Sequence, residues 1–281
     1  MASDRISPTA HYTGYVWAHN GLSHKALETL EGRLMFNTLA LPDRVSGLLG
    51  GPSLNSYLLT RHAALDLRLT AAIDSGVVSQ VVEVAAGMSP RGWRFASRYG
   101  SAITYIEADL PAMAARKRGR LQQIGSLSEY HQVLDVDALS DQGDASLAAI
   151  LGGLDLQRGV AVITEGLINY LSPELLVGLW ARIARGLRRF PNGLYLSEIH
   201  LKSDDNLLVT LGMPVLSAFV GGWVHLHFDG PGETLAALAA AGFDSSQLHQ
   251  GVSLTGESPR SGRGLVRIIE ASTIPPASTQ P

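Results

Sequence analysis

The run Gln80–Gly87 (QVVEVAAG) decides the fold, because a valine-rich segment of strand length ends directly in a glycine. Such a segment is typical of a strand that is buried on both faces of a parallel sheet. Its apolar part, Gln80–Ala86, is the first of seven similar runs, and the others are Ala102–Asp109, His131–Asp137, Val160–Thr164, Gly193–Ile199, Val224–Phe228 and Gly264–Glu270.

Helix signals separate these runs. Pro111 opens a predicted helix that extends to about Ile124, and Ser172-Pro173-Glu174 opens another that extends to about Arg189. A third predicted helix, Pro231–Ala241, is closed by Gly242. Strands that alternate with helices predict an α/β fold, with a doubly wound, mainly parallel sheet of about seven strands.

The rest of the chain suggests how the sheet is framed. Residues 1–60 look helical, with expected breaks at Pro42 and at Gly50-Gly51-Pro52, and we predict that they form a helical N-terminal cap. Residues 61–272 would form the ligand-binding domain, and the segment 273–281 is predicted to be a disordered tail.

Composition excludes several classes of protein. The 281 residues are 46% hydrophobic and 17% charged, with a net charge of −3 and no cysteine. A disordered chain, a disulfide scaffold and a cysteine nucleophile are therefore excluded, and the charge disfavours binding to nucleic acid. Met1–Thr13 lacks the apolar core of a signal peptide, and no apolar run reaches membrane-spanning length, so we expect a cytoplasmic protein without membrane contact.

Polar residues or glycine mark the carboxyl ends of the first four predicted strands. They are Gly87, then Glu107 and Asp109, then Asp135 and Asp137, and then Glu165. Ligands of such sheets bind at these strand ends, and a carboxylate after the second strand suits a ribose. Each residue alone also fits an ordinary turn, a solvated carboxylate or a helix cap. The full dinucleotide fingerprint of glycines is missing, which makes a nicotinamide oxidoreductase a distant alternative.

Three motifs resemble the leucine carboxyl methyltransferase family and its bacterial relatives that methylate small molecules, including polyketide carboxyl groups. The first-strand motif runs from Gln80 to Arg91, the second comprises Glu107, Asp109, Pro111 and Lys117, and the third comprises Glu165, Gly166, Tyr170 and Leu171. Upstream, Arg61 and Asp66 match the family's arginine and aspartate. The chain departs from the pattern at Ala85, where the family has glycine, and at Ser89-Pro90.

This resemblance implies a Rossmann-like class I methyltransferase that uses S-adenosyl-L-methionine, with an antiparallel seventh strand. Arg61 would then clamp the cofactor carboxylate, and Ala85 and Gly87 would line its methionine end. Asp109 would hold the ribose with support from Glu107. The remaining implied cofactor residues are Asp135 and Val136 at the adenine and Glu165 near the amino group or the reacting end.

The residues that would bind the methyl acceptor are predicted from weaker sequence signals. Segment 11–24 is rich in histidine and aromatic residues, and it would cover the site as a lid in the relatives. Candidate catalytic residues are His11, Tyr15 and His200, and candidate substrate-binding residues are Tyr12, Trp17 and His19. A packed N-terminal arm is the alternative interpretation of this segment.

Two further groups of residues receive ordinary interpretations. His225 and His227 alternate along one predicted strand, but without a third ligand we expect no metal site. The basic run Arg116, Lys117, Arg118 and Arg120 is expected to be a solvated helix face.

The sequence therefore predicts a small-molecule O-methyltransferase that acts on a carboxylate or a hydroxyl. The alternatives are a methyltransferase for protein C-terminal carboxyl groups and a catalytically silent cofactor-binding protein. The oligomeric state stays open, with a homodimer as one outcome.

Overall fold

The computed structural model describes residues 8–48, 53–204, 225–260 and 262–273. The strands are β1 Gln80–Val84, β2 Thr104–Asp109, β3 His131–Asp135, β4 Val160–Thr164, β5 Gly193–Ile199, β6 Ser245–Gln250 and β7 Arg267–Thr273. The helices are α1 Pro8–His19, α2 Leu30–Leu48, α3 Leu54–Asp74, α4 Arg91–Tyr99, α5 Pro111–Gln123, α6 Leu147–Gly152, α7 Pro173–Leu187, α8 Pro231–Ala240 and α9 Gly251–Thr255. Within these described ranges, every helix is too short or too polar to cross a membrane.

The seven strands form one sheet in the order β3-β2-β1-β4-β5-β7-β6. Strands β1 to β5 are parallel, and β7 runs antiparallel to both β5 and β6. This arrangement confirms the predicted fold class and the antiparallel seventh strand. The chain order reverses between β1 and β4, which is where ligands of open α/β sheets bind.

Helices cover both faces of the sheet. Helices α3 and α4 pack on one face, where Leu65 and Phe95 meet Val81 and Ile163. Helices α6, α7 and α8 pack on the other face around Trp180. Because side chains alternate along a strand, neighbouring residues of β1 serve the two different cores.

Two strand predictions near the carboxyl end of the chain need correction. Residues 225–228 of the predicted strand Val224–Phe228 are not a strand, and Val224 lies outside the described residues. The backbone of His225 instead bonds to Asn169, whose oxygen accepts the His225 N–H at 2.7 Å. Strand β6 was missed because its sequence, SSQLHQ, is polar and lies half exposed at the sheet edge.

The predicted segment boundaries differ from the observed elements. Helix α2 continues through Pro42, so the expected break at that residue is wrong. Helix α3 runs across residue 60, where we had divided the cap from the binding domain. Thr273 is the last residue of β7, so it does not belong to the tail, and residues 274–281 lie outside the described residues.

Candidate functional site at the carboxyl ends of the parallel strands

The turn after β1 has a backbone conformation that favours glycine. Ala85 has a φ of 54° and Gly87 has a φ of 48°, both in the left-handed region. The N–H of Gly87 donates to Asp109 Oδ2 at 2.7 Å, so the end of β2 holds this turn in place. The sequence-predicted residues Gly87 and Asp109 are therefore brought together.

Four glutamates lie near the carboxyl ends of neighbouring strands, on the sheet face that α3 and α4 cover. Glu107 belongs to β2, Glu83 to β1, and Glu198 to β5, while Glu165 follows β4 directly. All four are buried or nearly so, and each contacts a cationic side chain. This row of glutamates is the polar core of the site.

Arg91, the first residue of α4, joins two glutamates of the row to α3. Its guanidinium is fully buried, and it donates to Glu83 Oε1 at 2.6 Å and to Glu165 Oε2 at 2.5 Å. Its Nε donates to Asp66 Oδ1 at 2.6 Å. Asp66 thus pairs with Arg91 and with Arg94, at 2.6 Å, and not with Arg61.

Arg61 on α3 lies between the last two glutamates of the row. Its Nε donates to Glu165 Oε1 at 3.0 Å, and its Nη1 lies 3.6 Å from Glu198 Oε1. Its Nη2 has no hydrogen-bond partner among the residues that the structure describes. A guanidinium with free N–H groups suits a carboxylate ligand, which fits the clamp predicted for Arg61.

The pKa values of the two glutamates beside Arg61 are shifted in opposite directions. Burial acts to raise the pKa of Glu165, but the charges of His62, Arg91 and Arg61 outweigh it and hold that pKa well below its usual range. Burial raises the pKa of Glu198 to about 7, because the opposing charge of Arg61 does not offset it. Glu198 therefore titrates near neutral pH, and Glu165 stays ionised.

Glu107, which was predicted to support Asp109 at the ribose, lies in the protein interior. Its carboxylate is fully buried and pairs with Lys117, and His131 Nε2 lies 2.8 Å from its Oε1. Lys117 also donates to the carbonyl of Ala86 at 3.3 Å. Glu107 thus supports the turn after β1 through Lys117.

The basic run on α5 is not the solvated face that we expected. Lys117 is almost completely buried, and Arg116 pairs with Glu31 of α2 at 3.1 Å. Arg120 donates to the carbonyls of Ala26 and Glu28, so these side chains attach the cap to the sheet domain. The helical pattern missed this because the partners lie about 90 residues away in sequence.

The predicted adenine residues follow β3 at the same edge of the sheet. Asp135 is exposed and pairs with Arg118 at 2.8 Å. Val136 packs into the core, and its N–H donates to the carbonyl of Asp109 at 2.7 Å. Burial raises the pKa of Asp109, against the hydrogen bond from the Gly87 N–H.

The predicted acceptor residues of α1 divide into two groups. Trp17 is buried and stacks on the imidazole of His62, with ring centroids 4.4 Å apart, so it touches the ion-pair network. The other predicted residues of the segment contact the cap: Tyr12, Tyr15 and His19 pack near Phe36, and His11 Nδ1 lies 3.1 Å from Thr29 Oγ1. Burial lowers the pKa of His11.

Helix α1 also covers the turn after β1. An added Cβ at Gly87 would lie 3.3 Å from Ala10 Cβ, and one at Gly14 would lie 2.6 Å from Met88 Cβ. Two glycines, one in the helix and one in the turn, therefore allow this close packing.

The other histidines that the sequence analysis singled out, His200, His225 and His227, have no contact with the row of glutamates among the described interactions. His200 follows β5, with its ring 6.5 Å from that of Tyr57. His225 and His227 stack on each other, and His227 Nε2 lies 3.0 Å from the carbonyl of Ile168. The described part of the chain contains no group of three or more side chains placed to bind a metal.

Sequence reasoning missed Glu198, His62 and Glu83 as site residues. One signal was available, since Glu83, Glu107 and Glu198 are carboxylates inside otherwise apolar strands. The sequence prediction rested on residues at the carboxyl ends of the first four strands, and Glu198 belongs to the fifth.

Comparison with known proteins finds one matching family model and several similar sequences. A family model described as leucine carboxyl methyltransferase matches residues 22–184, more than half of the chain. A protein of Mycobacteroides abscessus, provisionally named an S-adenosyl-L-methionine-dependent methyltransferase, is 33% identical over 131 residues. That match covers 47% of this chain and 40% of the relative, so the chain matches less than half the length of this curated relative.

Solved structures share the fold at low sequence identity. A DUF574 family protein from Streptomyces avermitilis is 14% identical with a TM-score of 0.65, and the match covers 94% of this chain and 97% of that chain. A provisionally named methyltransferase from Thermobifida fusca is 12% identical with a TM-score of 0.65, with 97% of both chains covered. These likenesses support the fold assignment alone.

Proposed function

Because this chain belongs to the leucine carboxyl methyltransferase family, we propose that it transfers a methyl group from S-adenosylmethionine to a carboxylate or hydroxyl oxygen of a small molecule. The observation that carries the proposal is the placement of Arg61, Gly87, Asp109 and Glu165 around one edge of the sheet. The names of the relatives agree with this cofactor.

The residues at the strand ends fit this cofactor. Gly87 carries no side chain at the turn, and Arg61 Nη2 is free among the described residues to bind the cofactor carboxylate. Asp109 accepts the Gly87 N–H at Oδ2 and the Leu110 N–H at Oδ1, and each oxygen keeps a lone pair that can accept from a ribose hydroxyl. Ala85 fits less well than glycine, because its methyl group narrows this turn.

The charge of the site also suits a cation. Three arginines, Arg61, Arg91 and Arg94, face the carboxyl groups of Asp66, Glu83, Glu165 and Glu198, and among these Glu165 stays ionised. When bound, S-adenosylmethionine supplies a methyl group on a sulfonium centre that an acceptor oxygen can take in one displacement. The ionised Glu165 favours a positive ligand at this place.

The contribution of the chain is to position the reactants and to exclude water. The buried network around Arg91 fixes the side chains that would hold the cofactor, and positioning of this kind supplies much of the rate of a displacement. Helix α1, which lies over the turn, would shield the reacting atoms. A carboxylate acceptor needs no base, whereas a hydroxyl would profit from one.

Thermal unfolding with S-adenosylmethionine, S-adenosylhomocysteine or NADH tests the proposal. A ligand at about 100 times its Kd adds about 2.7 kcal/mol, which raises Tm by roughly 5–10 °C. We expect this rise with the two methionine cofactors and none with NADH. Asp109→Ala should abolish the shift, while the exposed Asp144→Ala should keep it.

A second measurement identifies the acceptor. The protein is incubated with labelled S-adenosylmethionine and either carboxylic acids, phenols or a cell lysate, and labelled products are separated by size. A labelled small molecule supports the proposal. Label on protein alone would favour carboxyl methylation of a protein, and cofactor binding without any turnover would favour a silent binding protein.

A further inference from the structure

Glu198 has a carboxylate oxygen without a partner, in a place where burial makes this costly. The residue is 2% exposed, and its Oε2 accepts no hydrogen bond from any described residue. Its Oε1 accepts the N–H of Gly166 at 2.7 Å. An ionised carboxylate oxygen that is buried and unpaired is strongly unfavourable, so this oxygen calls for a proton or a ligand.

None of the charged or titratable groups around Glu198 donates a hydrogen bond to its Oε2. Arg61 and Tyr57 face it from α3, and Glu165 and Tyr170 face it from the segment that follows β4. Arg61 is the single cation among them, and it already pairs with Glu165. Two carboxylates therefore compete for one guanidinium.

The charge balance favours a neutral Glu198. Three arginines meet four carboxyl groups in this cluster, so one carboxyl group has no arginine of its own among the described residues. His62 lies between both kinds of group, with its Nδ1 2.9 Å from Arg91 Nη2 and 2.9 Å from Glu165 Oε2, and no described contact joins it to Glu198. A proton on Glu198 makes the number of carboxylate charges equal to the number of arginines.

A carboxylate ligand at Arg61 would favour the neutral form of Glu198 further. Arg61 Nη1 lies 3.6 Å from Glu198 Oε1, so an anion held by the guanidinium comes close to Glu198. Two ionised carboxylates at that separation repel each other, whereas a carboxylic acid beside a carboxylate can donate a short hydrogen bond.

We propose that Glu198 binds the cofactor carboxylate as a carboxylic acid, with its Oε2–H donating to the same anion that Arg61 holds. This inference rests on the proposed function and adds a residue to the cofactor site. Below neutral pH, Glu198 already carries the proton. At higher pH, binding takes one proton from solvent, so affinity falls as pH rises.

The test is the Kd of S-adenosylhomocysteine by isothermal titration calorimetry between pH 6 and 8, in two buffers of different ionisation enthalpy. Because the pKa of Glu198 is about 7, the wild-type Kd should rise about tenfold from pH 6 to pH 8. At pH 8, binding should be accompanied by the uptake of nearly one proton.

Glu198→Gln is the decisive variant, because its amide keeps an N–H donor and has no proton to exchange. It should bind about as tightly as wild type at pH 6 and lose the tenfold change. The matched control, Glu129→Gln on the surface, should behave as wild type. A decarboxylated analogue of S-adenosylhomocysteine, which keeps the amino group, should bind wild-type protein without the tenfold loss of affinity between pH 6 and pH 8.

Three results would overturn the proposal, and they are distinguishable. A constant wild-type Kd would overturn it while leaving the proposed function intact. The same tenfold change in Glu198→Gln would assign the titration to another group of the site and overturn the proposal. Absence of binding by the wild type at every pH would overturn the proposed function and this inference together.

Discussion

Ala85 adopts a backbone conformation that costs an L-residue about 1–2 kcal/mol. We expect Ala85→Gly to raise the free energy of unfolding by about 1 kcal/mol and Tm by about 2–4 °C. The neighbouring Ala86→Gly is the matched control, because Ala86 is buried without a positive φ, so that change should destabilise. Thermal unfolding of both variants measures the difference, and a loss of stability in Ala85→Gly would contradict the strain.

Glu198 should make the stability of the protein depend on pH without any ligand. Its pKa in the folded state, about 7, lies above the usual value, so the folded state binds more protons than the unfolded state between about pH 4.5 and pH 7. Across that window the free energy of unfolding should fall as pH rises, by on the order of 3 kcal/mol at most, and it should level off above pH 7.

Urea unfolding at several pH values checks this expectation. Glu198→Gln should gain stability relative to wild type as pH rises from 5 to 7, since the amide has no charge to bury. Parallel curves for the two proteins at all pH values would show that Glu198 does not carry the shift.

Single residues also show how far the sequence could predict the site. Gly87, Asp109 and Glu165 were found because they stand at the ends of recognisable strands, and their roles toward the cofactor stay predictions. Glu198 and His62 were missed because their importance arises from pairing with Arg61 and Arg91, which lie far away in the sequence. Periodicity contains no information on such pairs.

At the scale of elements, α1 depends on a glycine for its contact with the turn. An added Cβ at Gly14 would lie 2.6 Å from Met88 Cβ, so Gly14→Ala should push the helix from the turn and cost about 1–3 kcal/mol. Gly119→Ala in α5 is the matched control, since nothing lies within 4 Å of the added methyl group. It should stabilise by about 0.5–1 kcal/mol through helix propensity.

Urea unfolding and limited proteolysis distinguish these outcomes. Cleavage within residues 8–19 should become faster in Gly14→Ala and stay unchanged in Gly119→Ala. Equal stability of the two variants would mean that α1 does not rest on Met88.

The elements that could be predicted are those whose own residues determine them. Val160–Thr164 and Gly193–Ile199 were predicted with their observed ends, because buried parallel strands are apolar throughout. Strand β6 pairs with β7 through its backbone, while its polar side chains remain partly exposed, so no apolar pattern announced it. The segment 225–228 is the opposite case, because its residues alternate as in a strand but its backbone bonds to Asn169 and not to the sheet.

At the scale of the molecule, we expect the cap and the sheet domain to unfold together. Helix α3 crosses the predicted boundary at residue 60, and it packs against β5, β7 and α9 while it also contacts α1. Fluorescence of Trp17 reports on the cap and that of Trp180 on α7, when the other three tryptophans are replaced by phenylalanine in each variant. Urea transitions of the two probes should coincide, whereas an earlier transition at Trp17 would identify the cap as a separate unit.

The position of α3 has a consequence for biosynthesis. Its partners are made much later, because Arg61 pairs with Glu165 across 104 residues and Arg68 pairs with Glu270 across 202 residues. At about 5–20 residues per second, a ribosome needs about 10–40 s to add the second of these partners. Until its partner has been added, each of these arginines lacks the carboxylate that pairs with it, so we expect α3 to reach its final packing only after β7 has been made.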